Sequence, residues 1–225
     1  MSQTLQMRRL LRQPWDYREQ AAVRMKRKLP DSTNNAGSNQ CFESLTFSGK
    51  TLSNKNLLNL SFYDCRFLNC DFSEIKLERC QFDSCIFSEC NASSASLGRS
   101  QFLDVRFELC KLIGIDWSES ATVLDVGFDR CKLDFSVFDD RILTRQLFLN
   151  CSIREVFFSR CDLSHADFKG SDLAGSKFEG CNFSHCNLSD SRNLSLSPDN
   201  NEISHSIISI ETALSFLEKY RLVIC

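Results

Sequence analysis

The chain has 225 residues, 42% of them hydrophobic and 25% charged, with a formal net charge of −2 and 13 cysteines. These values suit one soluble domain with tails: no apolar run approaches the ~18 residues a membrane-spanning helix needs, and the first 30 residues hold no apolar stretch of the secretory kind. Thirteen thiols would scramble under oxidising conditions, so the expected location is the cytoplasm.

Residues 1–40 form a basic arm and linker. Arg8, Arg9, Arg12, Arg18, Arg24, Lys26, Arg27 and Lys28 face only Asp16 and Glu19 over residues 1–30, a balance of +6 that leaves −8 for the remainder. Such a charge block reads as a solvated tail, a partner- or nucleic-acid-binding arm, or a transit-type peptide. The Asp-Ser-Thr-Asn-Asn-Ala-Gly-Ser-Asn stretch at 31–39 reads as its linker.

Within residues 41–194 an apolar residue, usually large, returns at every fifth position from Phe47 to Leu188. The centres run from Phe47 through Phe62, Phe67, Phe72, Phe82, Phe87, Phe102, Phe107 and Leu112 to Trp117. They slip by one residue between Ser118 and Thr122, then resume from Val123 through Phe128, Phe138, Phe148, Phe158, Phe168 and Phe178 to Leu188. A strand repeats every 2 residues and a helix every 3.6, so a beat of five needs a backbone that turns a corner each time. Eleven cysteines stand two places before a centre: Cys65, Cys70, Cys80, Cys85, Cys90, Cys110, Cys131, Cys151, Cys161, Cys181 and Cys186. One phase of one beat fits neither a disulfide framework nor a CxxC metal site. Buried, reduced core thiols are expected.

The segments Cys-Asp-Phe-Ser-Glu at 70–74, Ala-Asp-Phe-Lys-Gly at 166–170 and Ser-Asp-Leu-Ala-Gly at 171–175 resemble the motif of the pentapeptide repeat proteins. That resemblance implies an all-β fold: a right-handed, quadrilateral parallel β-helix with four pentapeptides per coil, about seven coils over residues 41–194. Sorting the centres by twenties, with the one insertion allowed for, puts Phe47, Phe67, Phe87, Phe107, Phe128, Phe148 and Phe168 on one face, as a stacked solenoid favours.

Three places depart from the beat. Lys50 and Lys55 fall on the small inward position, which reads as a frayed first coil. Arg141 and Gln146 fall on it deep in the array, and a buried guanidinium there needs a partner such as Asp139 or Asp140, a bulged coil, or a role in partner contact. The slip at 118–122 reads as a bulge. After Leu194, Ser-Leu-Ser-Pro-Asp-Asn-Asn at 195–201 stops the beat, and residues 195–225 form a C-terminal helix and tail. Ser209 can cap that helix and Glu211 suits its first turn. Ala213, Phe216, Leu217 and Tyr220 make an apolar stripe that continues into Leu222, Val223 and Ile224, expected to cap the last coil and join two copies into a homodimer.

No catalytic set appears, and neither a cofactor nor a metal site is expected. His165 and His185 should neighbour each other in adjacent coils, but two imidazoles fall short of a ligand set, so they read as surface turn residues. The outer surface carries acids instead. Asp64, Asp83, Asp104 and Asp125 come from successive coils of one face, with Asp116, Glu119, Asp139 and Asp140 near the slip and around the next corner. Rows of this kind can stand in for duplex DNA, although B-DNA carries a charge every ~1.7 Å and the coil does not approach that density.

Within the family, Phe-Leu-Asn-Cys at 148–151, Cys-Asp-Leu-Ser-His-Ala-Asp-Phe at 161–168, Gly-Ser-Lys-Phe at 175–178 and Leu-Glu-Lys-Tyr-Arg-Leu-Val-Ile at 217–224 are similar to the subgroup of the microcin B17 immunity and Qnr quinolone-resistance proteins. The resemblance implies a dimeric rod that binds DNA gyrase, and in some members topoisomerase IV, and protects it from poisons that trap cleaved DNA. A non-catalytic scaffold for some other protein is the alternative. The coil itself is expected to bind neither membrane nor nucleic acid.

Overall fold

In the computed structural model, which describes residues 40–218 and side chains through residue 214, the five-residue beat becomes a square coil. The residue two after nearly every centre lies in the left-handed region, from φ 49° at Asn69 to 73° at Gly170. A short extended segment followed by one such residue turns the chain through a corner, and four corners close a coil. Neighbouring coils then pair in parallel at a register of twenty, Phe47 beside Phe67 and Phe62 beside Phe82. The result is a right-handed all-β solenoid of about eight turns with one short helix, α1 (Ile210–Glu218), at its C-terminal end.

The array is longer than the beat suggests. It begins one centre earlier, at Phe42, on the strand Gln40–Glu43 that pairs with Leu60–Tyr63. It also continues past Leu194: Glu202 bridges to Asn182, and Ile207–Ile208 pairs with Asn187–Leu188. The last coil is hidden because Asn193 and Pro198 stand where apolar centres are due and Asn201 takes the inward small position. Its Oδ1 accepts from Cys181 N at 2.9 Å and its Nδ2 donates to Phe178 O at 3.0 Å. The first coil is not frayed either. Lys50 points to water, while its carbonyl accepts from Asp71 N at 2.8 Å, and the Lys55 carbonyl accepts from Lys76 N at 2.8 Å.

The lumen holds the centres. Phe128, Phe148 and Phe168 stack with centroids 5.3 and 4.7 Å apart and planes within 14°, and Phe138 and Phe158 meet Phe148 edge-on from the neighbouring face. Each such pair adds about 0.5–1.5 kcal/mol beyond the area it buries. With the four faces numbered in chain order from the centres Phe42, Phe47, Leu52 and Leu57, the third carries mostly aliphatic centres, and its small position holds the column Cys70, Cys90, Cys110, Cys131 and Cys151, all buried free thiols. The inward residue donates to the carbonyl of the centre one coil below, as in Cys90 Sγ to Phe67 O at 3.3 Å and Ser171 Oγ to Phe148 O at 2.7 Å. Cysteine and serine therefore share this position for one reason. The neighbouring Cys110 thiol pushes Cys90 up to about 12, and burial pushes Cys131 well above its ordinary value, so both stay protonated.

The slip is a bulge around a single 3-10 turn at Trp117–Glu119. Ser120 takes the buried inward position, Thr122 pairs with Gln101, and Ala121 between them is the extra, exposed residue. Two side chains make good the lost backbone bonds. Glu119 Oε2 accepts from Leu97 N at 3.1 Å and Ser96 Oγ at 2.9 Å, in place of a ladder carbonyl. Arg141 donates from Nη1 to Ser120 O and from Nε to Asp139 O, both at 3.0 Å. The expected carboxylate partner for Arg141 is thus replaced by two carbonyls, and the insertion and the inward arginine are one feature. Gln146, 2% exposed, has no such partner for its Nε2 and sits in an unbulged coil between Val126 and Ala166 in the inward column.

Arg141→Met is expected to cost about 1–3 kcal/mol, because it leaves carbonyls of a broken ladder without donors. Deleting Ala121 together with Arg141→Cys restores the register of twenty and should recover most of that loss in denaturant melts.

A second test concerns Asp172, whose side chain is 8% exposed. Asn193 Nδ2 donates to it at 2.8 Å, and Arg154 donates from Nε at 2.8 Å and from Nη2 at 2.5 Å. The Asn193 amide and then the Arg154 guanidinium hold its carboxyl below the usual carboxylate range. A depressed carboxyl contributes stability above its unfolded value, near pH 4, and loses it as the pH falls through the folded value. The stability gap between the wild type and Asp172→Asn should therefore be open at pH 7 and close below about pH 4 in denaturant midpoints.

Candidate partner-binding surface

The corner that follows the first face is a single column of left-handed residues: Ser44, Asp64, Ser84, Asp104, Asp125, Arg145, His165, His185 and His205. Asp, Asn and His tolerate this backbone better than most residues, so turn chemistry alone accounts for part of the composition. The order along the column carries more information. Acids occupy its N-terminal half and cationic or imidazole side chains its C-terminal half.

In the acidic half, Asp64, Asp104 and Asp125 stand on the column itself and Asp83 lies beside it at the end of the strand that precedes Ser84. Serines interleave the acids and soften their repulsion: Ser44 Oγ donates to Asp64 at 3.2 Å, and Ser84 Oγ to Asp104 at 3.3 Å and Asp83 at 3.0 Å. One cation lies across the row. Arg106 approaches Asp104 at 3.3 Å and donates to Asp125 O at 2.5 Å.

The other four acids lie on the fourth face and its corner, apart from this row. Asp116 caps the 3-10 turn by accepting from Ser118 N at 2.9 Å and from the Ser118 hydroxyl. Glu119 is engaged with Ser96 and Leu97 as described. Asp139 accepts from Arg160 Nη2 at 2.7 Å, and Asp140 occupies a left-handed corner with φ 53°. The structure thus brings Asp64, Asp83, Asp104 and Asp125 together and commits Asp116, Glu119 and Asp139 to internal bonds.

Sequence reasoning missed two exposed apolar side chains in the coils that follow the bulge. Ile142 is 69% exposed on the first face, where the bulge interrupts the ladder, and Phe135 is 64% exposed at φ 61° on the corner after the third face. A phenylalanine held in the left-handed region without burial has no packing rationale, and the signal was its place where the motif asks for a polar or small residue.

At the C-terminal end, Ser209 caps α1: its Oγ accepts from Thr212 N at 3.2 Å. Backbone hydrogen bonding and then the Ser209 hydroxyl hold the Glu211 carboxyl below its ordinary value. Ile207, Ile210 and Leu214 are exposed there, and Ala213 is half-buried. Phe216 and Leu217 lie on α1 with side chains outside the described residues; Tyr220, Leu222, Val223, Ile224 and the basic arm lie outside them altogether. No described helix is long and apolar enough to cross a membrane.

Among solved structures, HetL, a pentapeptide repeat protein involved in heterocyst differentiation regulation from the cyanobacterium Nostoc sp. strain PCC 7120, is 16% identical, with a TM-score of 0.64 over 76% of this chain and 87% of that one. A trypsin-treated variant of QnrB1, a plasmid-mediated fluoroquinolone resistance protein, is 21% identical, with a TM-score of 0.50 over 85% of this chain and 92% of that one. No curated protein sequence matches the chain. The profile of the pentapeptide repeat region matches residues 60–124 and 121–195, over half of the chain and most of the coil, and with the five-residue beat and the square coil it places the chain in the pentapeptide repeat family.

Proposed function

We propose that this chain is a gyrase-binding protein that protects the enzyme from a poison that traps cleaved DNA, of the microcin B17, albicidin or quinolone kind. The observation that carries this reading is the acidic row of Asp64, Asp83, Asp104 and Asp125 along one edge of a rigid rod. Coils stack at roughly 4.8 Å, so the row presents carboxylates at intervals of one to two coils on a straight line. That is sparser than a DNA backbone, so the mimicry is local and meets only part of a DNA-binding groove. In this reading the exposed Ile207, Ile210 and Leu214 belong to a contact through which two copies join, doubling the rod. The site of action is the cytoplasm, where buried free thiols persist.

A second reading has one specific observation in its favour. The exposed Phe135 and Ile142 suit a protein partner held by apolar anchors, with the rod as a non-catalytic scaffold.

The deciding experiment is a gyrase supercoiling and cleavage assay with purified protein, run separately with microcin B17, albicidin and a fluoroquinolone. Relief of cleavage with one poison is expected and would identify its class. Unchanged gyrase activity with every poison, at protein in large excess, would leave the scaffold reading in its place.

A further inference from the structure

The C-terminal half of the column was unexpected in one respect. His205, beyond the stretch where the beat is hidden, joins His165 and His185 in the same left-handed position. The three rings stack in register, His165 on His185 at 4.8 Å and 5° and His185 on His205 at 4.9 Å and 11°. All three are exposed, and although the His165 and His185 amides serve the ladder, no imidazole makes a hydrogen bond within the described residues. In its neutral form each ring offers one nitrogen lone pair to a metal.

We propose that this ladder is a surface site for one divalent transition-metal ion of the imidazole-preferring class, Ni²⁺, Cu²⁺ or Zn²⁺. Imidazole suits these ions, whereas Mg²⁺ and Ca²⁺ require oxygen ligands. Adjacent rungs are as close as histidines four apart on a helix, about 5–6 Å between Cβ atoms, the spacing from which HExxH motifs bind zinc. As they stand the rings are parallel, and among the described residues no three ligating side chains already converge on one point. Two nitrogens must come within about 3–3.5 Å of each other to share an ion at ~2.0–2.1 Å each. Exposed side chains reach this by rotation about χ1 and χ2, with the backbone unmoved. An ion then takes one adjacent pair and keeps waters elsewhere.

The two possible pairs are not equivalent. His185 belongs to both. Arg145 occupies the rung next to His165 and repels a cation there, whereas Asp162 and Glu202 hold equivalent turns before His165 and His205 and do not separate the pairs. The ion therefore favours His185 with His205. His165 with His185 is the weaker alternative, and the order of importance is His185, then His205, then His165.

The test is Ni²⁺ titration by calorimetry of protein carrying no affinity tag, in a Cys41→Ser, Cys225→Ser background that removes thiols other than the buried ones. Asparagine replaces each histidine, since it tolerates the left-handed backbone. One Ni²⁺ per chain is expected. Affinity should fall more than tenfold in His185→Asn, several-fold in His205→Asn and at most about twofold in His165→Asn, with circular dichroism and melting temperature unchanged. Equal losses in all three variants, undiminished binding by His185→Asn, or no Ni²⁺ binding by the parent protein would each overturn the proposal.

Discussion

Phe148→Ala is expected to destabilise the coil by about 3–5 kcal/mol, the range for deleting a fully buried phenylalanine. The ring is completely buried, stacked on Phe128 below and Phe168 above, with Phe138 and Phe158 edge-on beside it. Alanine would remove all four contacts and leave a cavity whose walls are themselves ladder members, fixed by the coils on either side. In a solenoid each coil is held by its neighbours, so a break in the middle uncouples two halves. Phe42→Ala makes the comparison: Phe42 has one stacking partner, Phe62 at 5.0 Å, and one edge-on neighbour, Phe47 at 6.0 Å. Its cost should be about half that of Phe148→Ala. Phe148→Leu should be milder still, since Leu188 already serves on the same face. Equal losses at Phe42 and Phe148 in denaturant melts would show that stacking position does not matter.

This stability was legible because Phe148 obeys a period that no other backbone produces, and the same holds for the cysteine column. The period could not show what side chains do when it fails. Asn201 stands where a cysteine or serine is expected, and only the structure shows its amide making the same bonds to Cys181 and Phe178. Together with Asn193 and Pro198 in place of apolar centres, Asn201 concealed the last coil, and with it the alignment of His205 with His165 and His185. Glu119 and Arg141 are 22 residues apart in sequence and serve one bulge from two coils, a relation with no local signature. The acids illustrate the limit from the other side. Composition counts Asp116 and Asp64 alike, yet one is spent on the Ser118 amide and the other stands on an exposed corner.

That difference among the acids gives the second large effect. On the gyrase reading, replacing Asp64, Asp104 and Asp125 together by asparagine should weaken gyrase binding by roughly 0.6–3 kcal/mol, about 3- to 150-fold, if each charge contributes the 0.2–1 kcal/mol usual for surface pairs. Asparagine keeps the left-handed turn and can still accept from Ser44 and Ser84, so stability should change only slightly, through loss of the Asp104–Arg106 ion pair. The loss should lie mostly in the association rate, since rim charges steer encounter. It should shrink as salt rises from 0.05 to 1 M, where the screening length falls to about 3 Å. Asp139→Asn is the contrasting variant. It breaks the ion pair to Arg160 and should change stability slightly while leaving gyrase binding unchanged. A triple variant that binds gyrase as tightly as the wild type at low salt would remove the acidic row from the mechanism and turn attention to Phe135 and Ile142, whose exchange for serine should then be the damaging one.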